Sequence, residues 1–169
     1  MSIEIRPAVI EEASYLTKWL TDPSILKWFP MCDAREIDDA VRIWMGYTKF
    51  ESCFTAYLNG IPVGMSILYL QPYQKFSHQC LFAIIVDEKH RNQGIGKALI
   101  ETMIEAARDK FKIEVLHLEV YQGNPAIRLY ERMGFQVYGR QPKFIKMDGQ
   151  YFDKIMMQKD LTMGSYGRS

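Results

Sequence analysis

The sequence predicts an α+β fold with a central mixed β-sheet of about seven strands, flanked by about four helices, in the order βααβββαβαββ. Two observations carry this prediction. Residues 81–86 form a continuous apolar run rich in β-branched side chains, which is typical of a strand buried on both faces. A helical pattern running to about Phe111 connects this strand to a second apolar run, and a helical crossover of that kind joins parallel strands.

Length and composition indicate one ordinary globular domain. The chain has 169 residues, of which 48% are hydrophobic and 24% charged, and its net charge is +1. This balance gives no general attraction to nucleic acid or anionic membranes, and no apolar run approaches the length of a membrane span. We expect a single domain over residues 1–162, a flexible tail at 163–169, and neither a nucleic-acid nor a membrane partner.

The cysteine pattern and the N-terminus indicate the compartment. Cys32, Cys53 and Cys80 are odd in number and show no CxxC spacing, which argues against both a disulfide framework and a zinc site. The first residues lack the apolar core of a secretory signal. The sequence therefore predicts a metal-free protein in a reducing cytoplasm.

Alternating or β-branched runs predict the strands. Ile3 and Ile5 alternate with charged residues, and Asn59-Gly60 is a strong hairpin signal between two later runs. The predicted strands cover residues 2–7, 54–58, 62–70, 78–86, 113–121, 151–161 and a stretch with two extended segments at 135–138 and 143–147.

Helical spacing and capping signals predict the helices. Apolar residues at helical intervals indicate a helix over residues 10–20, which Thr21-Asp22-Pro23 should end. Asp33 can cap a second helix, with Glu36 three residues later as in a capping box. The third helix follows Gly96 and the fourth covers residues 124–133.

The turn after the strand at 81–86 has the features of an anion site. Gly94 and Gly96 precede the first helical turn, whose N–H groups have no partner in the chain and carry the positive end of the helix dipole. Arg91 adds a full positive charge. A dinucleotide fingerprint would need glycine where Leu99 stands, and a P-loop would need Ser or Thr at Ala98, so both are poor matches.

Two motifs in this order resemble the GCN5-related N-acetyltransferases. Arg91-x-x-Gly94-x-Gly96 is similar to the loop that binds the acetyl-CoA pyrophosphate in that family. Residues 118–135 resemble the strand–loop–helix segment of the same family through Asn124, Ala126, Leu129-Tyr130 and Gly134-Phe135. The resemblance covers roughly residues 2–160 and is strongest over 81–135.

This resemblance implies an enzyme that moves an acetyl group from acetyl-CoA to a primary amine, by direct attack through a tetrahedral intermediate. The amine belongs either to a small molecule or to a protein or peptide. The family splays the two parallel strands to admit the pantetheine arm, and backbone N–H groups near residues 84–86 can stabilise the oxyanion. The residues expected to bind the cofactor are Ile84, Ile85, Val86, Arg91, Asn92, Gln93, Gly94, Ile95, Gly96, Lys97, Asn124 and Tyr130.

The resemblance also suggests catalytic roles. Tyr130 matches the position of the family's general acid, since a phenol of pKa ~10 stays protonated near neutral pH and can protonate the leaving thiolate; packing against the sheet is the alternative. Glu119 is the candidate base, as in the ribosomal-protein alanine acetyltransferases of this family. His117, on the same strand face, and water are the other candidates, and His78 is a weaker one.

One spacing departs from those alanine acetyltransferases, which usually have seven steps between the Asn and the Tyr. Here Asn124 and Tyr130 are six apart, so Asn124 is expected to lie differently on the cofactor.

The acceptor is not specified by sequence. In the family the first helical pair covers the acceptor site, so Trp28, Phe29, Trp44 and Tyr47 either line a pocket or belong to the core. The pair Asp38-Asp39 would suit a polyamine but is more typical of a solvated helix face. A longer acyl-CoA, or a non-catalytic acyl-CoA-binding sensor, are the alternative functions, and a homodimer is left open.

Overall fold

The computed structural model describes residues 2–162, so the predicted tail at 163–169 lies outside the described residues. The described chain forms one seven-stranded mixed sheet in the order β1-β2-β3-β4-β5-β7-β6. The strands are β1 (Ile3–Pro7), β2 (Cys53–Leu58), β3 (Ile61–Tyr69), β4 (Gln79–Val86), β5 (Val115–Tyr121), β6 (Gln136–Met147) and β7 (Gln150–Asp160). The predicted α+β class and mixed sheet are confirmed.

Five α-helices flank the sheet within the described residues, one more than predicted. They are α1 (Ala13–Leu20), α2 (Pro23–Leu26), α3 (Ala34–Gly46), α4 (Ile95–Asp109) and α5 (Ile127–Arg132). The additional one, α2, is a single turn. Pro23 stands at its first position, where the missing N–H costs nothing, and the Asp22 carboxylate accepts from the Ser24 N–H at 2.9 Å.

The other capping prediction is confirmed with one shift. The Asp33 carboxylate accepts from the Glu36 N–H at 2.8 Å and begins α3. The Glu36 carboxylate reaches back to the Cys32 N–H, one residue before the position that a capping box uses. The two extended segments predicted after Phe135 are also joined, because β6 is continuous, with register shifts near Val137 and Gln141.

The parallel pairing of β4 and β5 is confirmed, but it is short. It runs from Gln79↔Val115 to Leu81↔His117 and stops. Beyond that point β4 continues to pair with β3, and β5 continues to pair with β7. The two central strands therefore separate at their C-terminal ends.

The two faces of the sheet carry different helices. One face packs against α1, α2 and α3, around residues such as Leu16, Trp44 and Ile85. The opposite face packs against α4 and α5, around residues such as Met103 and Tyr130. No helix among residues 2–162 is long and apolar enough to cross a membrane.

Gly64 in β3 is expected to be essential for stability. A Cβ there would lie 2.8 Å from the Ile85 carbonyl oxygen, which is backbone and cannot move aside cheaply. Gly64→Ala should lower the free energy of unfolding by about 1–3 kcal/mol in urea titrations. Gly46→Ala is the matched control: Gly46 has helical φ of −61° and open space around it, so alanine should stabilise by about 0.4–1 kcal/mol. Equal effects at the two positions would contradict the steric argument.

Candidate active site

A large cleft opens where β4 and β5 separate. Its volume is about 1080 Å³, and it continues from the N-terminus of α4, between the strands, to the face covered by α2 and α3. Side chains of β4 and β5 alternate between the two faces, so the cleft can be reached from both. The separation of β4 and β5 thus opens a continuous cleft between the two faces of the sheet.

The first turn of α4 forms one end of the cleft. Gly94 has φ of +82°, a conformation that favours glycine, and lies directly before the helix. A Cβ on Gly96 would lie 3.1 Å from the Leu129 side chain and within 4.0 Å of the Val86 side chain, both of which line the cleft. The bare backbone at Gly96 therefore lets a ligand approach the unpaired N–H groups of the helix start.

Positive charge is concentrated in the cleft lining. Four guanidinium or ammonium groups line it, and a single carboxylate, that of Glu119, opposes them. The four cations are Arg91, Lys97, Arg128 and Arg132. The lining thus has the electrostatic character of a site for a polyanionic ligand.

Arg128 and Arg132 were not among the predicted binding residues. They are four residues apart and therefore share one face of α5, which was a signal readable from the sequence. Arg91 is ion-paired with Glu88 at 2.9 Å, and both side chains are about two-fifths exposed (36% and 43%). Because an exposed pair of this kind is worth little, Arg91 can exchange Glu88 for a phosphate.

Some of the predicted loop residues line the cleft, and others do not. Asn92 lines the cleft with a left-handed φ of 61°, whereas Gln93 is not part of the lining, and its side-chain oxygen is buried without a partner. Ile95 and Lys97 line the cleft, although Ile95 is also fully packed against the sheet.

The backbone of β4 does not present all three of its predicted residues to the gap. The Asp87 N–H donates to the Val63 carbonyl at 2.8 Å, so alternation along the strand directs the Ile85 backbone towards β3 as well. The N–H groups of Ile84 and Val86 point the other way, into the gap left by β5. Ile85 contributes its side chain alone.

Asn124 is held in a local turn. Its side-chain carbonyl accepts from the Ala126 N–H at 2.9 Å just before α5, and the residue lines the cleft. Asn124 and Tyr130 both line the cleft.

Tyr130 lies on the α5 side of the cleft and is 6% exposed. Its ring packs at near right angles to Phe82 and Phe135, with centroids 6.0 and 6.2 Å apart. Burial raises the pKa of the Tyr130 hydroxyl. The hydroxyl is therefore protonated throughout the neutral range and can only donate its proton when an acceptor approaches.

Glu119 reaches the cleft from the opposite face of the sheet. Leu118 and Val120 face α5, so the intervening Glu119 faces α2 and α3. Its carboxylate is paired with the Lys154 ammonium on β7 at 3.2 Å. The acid candidate and the base candidate therefore flank the strand separation from two sides.

The two histidine candidates lie outside the cleft lining. His117 shares a strand with Glu119, but its Nε2 is hydrogen-bonded to the Gln79 side chain. Burial lowers the pKa of His117, which keeps its ring neutral. His78 precedes β4, at the end remote from the strand separation.

The aromatic residues assigned to the acceptor side are only partly in the cleft. Trp28, Phe29 and Trp44 line it, whereas Tyr47 packs behind them, edge-on to Tyr69 at 5.5 Å. The aromatic side chains that the sequence did not predict there are Tyr69, Tyr121 and Phe144. Burial raises the pKa of both Tyr69 and Tyr121 to about 12, so these walls are uncharged.

Comparison with known proteins identifies the class. The model of the acetyltransferase (GNAT) family matches residues 14–135, which include both motifs and the whole strand separation. The chain belongs to this family, and the resemblance inferred from the two motifs is confirmed.

The names of similar proteins refer to different acceptors. The chain is 31% identical over 105 residues to the L-amino acid N-acetyltransferase AaaT of Escherichia coli K12, covering 62% of this chain and 65% of that protein. It is 31% identical over 88 residues to the spermine/spermidine N(1)-acetyltransferase of Bacillus subtilis 168, covering 49% and 58%. The chain thus spans less than two thirds of the length of either relative.

A solved structure shares the fold over nearly the whole chain. The protein yncA of Salmonella typhimurium, solved with its cofactor acetyl-CoA, superposes with a TM-score of 0.79 at 21% identity, covering 95% of both chains. The common architecture includes the central mixed sheet on which the cleft is built.

Proposed function

We propose that this protein is an acetyltransferase that moves an acetyl group from acetyl-CoA to a primary amine. The observation that carries the proposal is the passage between β4 and β5, which connects a cation-lined helix start to an aromatic chamber. One end suits the phosphates of a coenzyme and the other suits an organic acceptor. Family membership supports the same reaction.

The helix start fits the pyrophosphate of acetyl-CoA. The bare backbone at Gly96 and the N–H groups of residues 94–97 accommodate it, and Arg91, Lys97 and Arg128 supply charge. Ile84 and Val86 also offer backbone carbonyl groups beyond the end of the β4–β5 pairing, and these suit the N–H groups of the amide-bearing arm of the coenzyme. When bound, acetyl-CoA supplies a thioester that the amine attacks.

In this proposal the residues around the gap between β4 and β5 have different catalytic roles. The N–H groups of Ile84 and Val86 can donate to the carbonyl oxygen as negative charge develops on it. Tyr130 is the proton donor to the departing thiolate: burial keeps its hydroxyl protonated before the step, and the tyrosinate that remains regains a proton from solvent before the next turnover. Glu119 removes a proton from the acceptor amine, directly or through a water molecule, on the opposite face of the sheet.

Two rival functions make different predictions in one assay. Release of free thiol would be followed with a panel of small amines and peptides, using acetyl-CoA and a longer acyl-CoA in parallel. Turnover with acetyl-CoA supports the proposal, and faster turnover with the longer donor supports the same fold with another acyl group. Micromolar coenzyme binding without turnover on any acceptor would favour a non-catalytic sensor.

Gly96→Val is expected to weaken acetyl-CoA binding at least tenfold. The new side chain would push against Leu129 and occupy the space through which the phosphates reach the helix N–H groups. Gly94→Val should weaken binding as well, by straining a backbone at φ of +82° rather than by filling space. Calorimetry measures both, with Gly46→Val as a control at an open helical glycine that does not line the cleft. Wild-type affinity in both loop variants would reject this site.

We propose that the protein resides in the cytoplasm and that it forms a homodimer. The three cysteines are all free thiols, which supports a location in the reducing cytoplasm. β6 is an edge strand with exposed Val137 and Tyr138, a surface that supports a homodimer. Light scattering at micromolar concentration tests the dimer, and a monomeric mass at every concentration would overturn it.

A further inference from the structure

A second, smaller cavity adjoins the acceptor end of the cleft. It has a volume of about 200 Å³ and lies between the segment after α2 and the β6–β7 hairpin. We call it the apolar pocket; its walls include Trp28, Tyr121, Ile145, Met147 and Phe152. Trp28 and Tyr121 line the cleft as well, so the two cavities meet at these two rings.

The walls of this pocket suit a hydrocarbon group. An engineered cavity of about 150 Å³ with aliphatic and aromatic walls is enough to bind benzene. The apolar pocket is somewhat larger than that. Lys27 and Gln122 also line it, but aromatic and aliphatic side chains form most of its wall and offer dispersion contacts. A phenyl or branched alkyl group therefore fits its dimensions and its chemistry.

The charges around the acceptor end disfavour a polycationic substrate. Among the described residues that line either cavity, Glu119 alone carries a carboxylate, and it is paired with Lys154. Asp38 and Asp39 are absent from both linings, and Asp39 is paired with Arg42 at 2.9 Å. A second ammonium group on the acceptor would find no second carboxylate here.

We propose that the acceptor is a primary amine bearing one apolar substituent, and that this substituent occupies the apolar pocket while the amine lies at Glu119. The proposal rests on the proposed acetyl transfer and adds the substrate class. Trp28 and Tyr121, which line both cavities, place the pocket beside Glu119, which is two residues from Tyr121 on the same strand face. The pocket thereby selects acceptors by the shape of the group next to the amine.

The test compares kcat/KM for alaninamide, leucinamide, phenylalaninamide and spermidine. The amides share one amine and lack a carboxylate, so they differ in the apolar group alone. One methylene in an apolar pocket changes kcat/KM by roughly 10- to 200-fold, and we expect phenylalaninamide to exceed alaninamide at least tenfold. No preference among the amides, or a preference for spermidine, would overturn the proposal.

Variants that fill the apolar pocket test whether this pocket causes the preference for phenylalaninamide over alaninamide. Ile145→Trp fills the apolar pocket from within and Met147→Trp fills it from its rim, where Met147 is 41% exposed. Each should reduce the ratio of phenylalaninamide to alaninamide at least fivefold. Val137→Trp, on the same strand and outside both cavities, is the control and should keep the wild-type ratio. Circular dichroism checks that each variant folds; a retained ratio in both folded pocket variants would overturn the assignment.

A direct binding measurement separates failure of the pocket from failure of the proposed activity. If no amine is acetylated, acetyl transfer is wrong, and phenylalaninamide binding is then followed by NMR titration at millimolar concentration. Saturable binding by the wild type that Met147→Trp abolishes would still support the pocket. No saturable binding by the wild type would overturn it.

Discussion

Replacing Tyr130 by phenylalanine is expected to lower kcat by roughly 10² or more, about 2.7 kcal/mol of activation free energy, with little change in acetyl-CoA affinity. The substitution removes one hydroxyl and keeps the ring that packs against Phe82 and Phe135. If Tyr130 protonates the leaving sulfur, its loss affects the chemical step, whereas the proposed phosphate site at Gly96 keeps its residues.

The pH dependence of that loss is a second readout. Burial raises the pKa of Tyr130, so the wild-type hydroxyl stays protonated as pH rises through the neutral range. The ratio of wild-type to Tyr130→Phe rates should therefore be constant from about pH 6 to 9. Tyr138→Phe is the control, because Tyr138 is 52% exposed on β6 and does not line the cleft. Unchanged turnover when chemistry limits the rate would return Tyr130 to a packing role.

Much of the fold is encoded in local patterns. The apolar run at 81–86, the Asn59-Gly60 turn and the crossover helix were enough to predict the strands and the parallel pair. The short helix α2 was missed because Pro23 is compatible both with ending one helix and with beginning the next. Local chemistry alone does not choose between those two uses.

The lining of the cleft was predictable only where its residues are close in sequence. Gly94, Gly96 and Tyr130 are positioned by their own turns and helices. The direction of the Ile85 backbone depends instead on its register with β3, and the pairing of Glu119 with Lys154 depends on how β5 meets β7. Those registers depend on pairing between strands that are far apart in the sequence, so the spacing of neighbouring residues does not predict them.

Because Glu119 is ion-paired with Lys154, a test of Glu119 as the base must distinguish loss of a proton acceptor from loss of the ion pair. Glu119→Gln removes a proton acceptor, but it also leaves the Lys154 ammonium, whose side chain is 12% exposed, without its counter-ion. An anchor that binds a cationic acceptor is a further role for the same carboxylate. A single variant at one pH therefore cannot assign the role.

Glu119→Gln is expected to lower kcat/KM roughly 10²-fold at about pH 6.5, and the loss should shrink above about pH 8 for an α-amino acceptor. A base is needed while the amine carries a proton, and an α-amino group of pKa ~8 loses that proton as pH rises. If Glu119 acts instead as an anchor, KM should rise more than kcat falls, most strongly for cationic acceptors.

The double variant Glu119→Gln/Lys154→Gln supplies the matched control, since it removes both charges of the pair. If Glu119 only neutralises Lys154, the double variant should regain most of the wild-type rate. If Glu119 takes the proton, the double variant should stay as impaired as Glu119→Gln and keep the same pH trend. The measurement is kcat and kcat/KM for the three proteins across the pH series. Profiles that superimpose on wild type at every pH would remove Glu119 from catalysis and assign the proton to water.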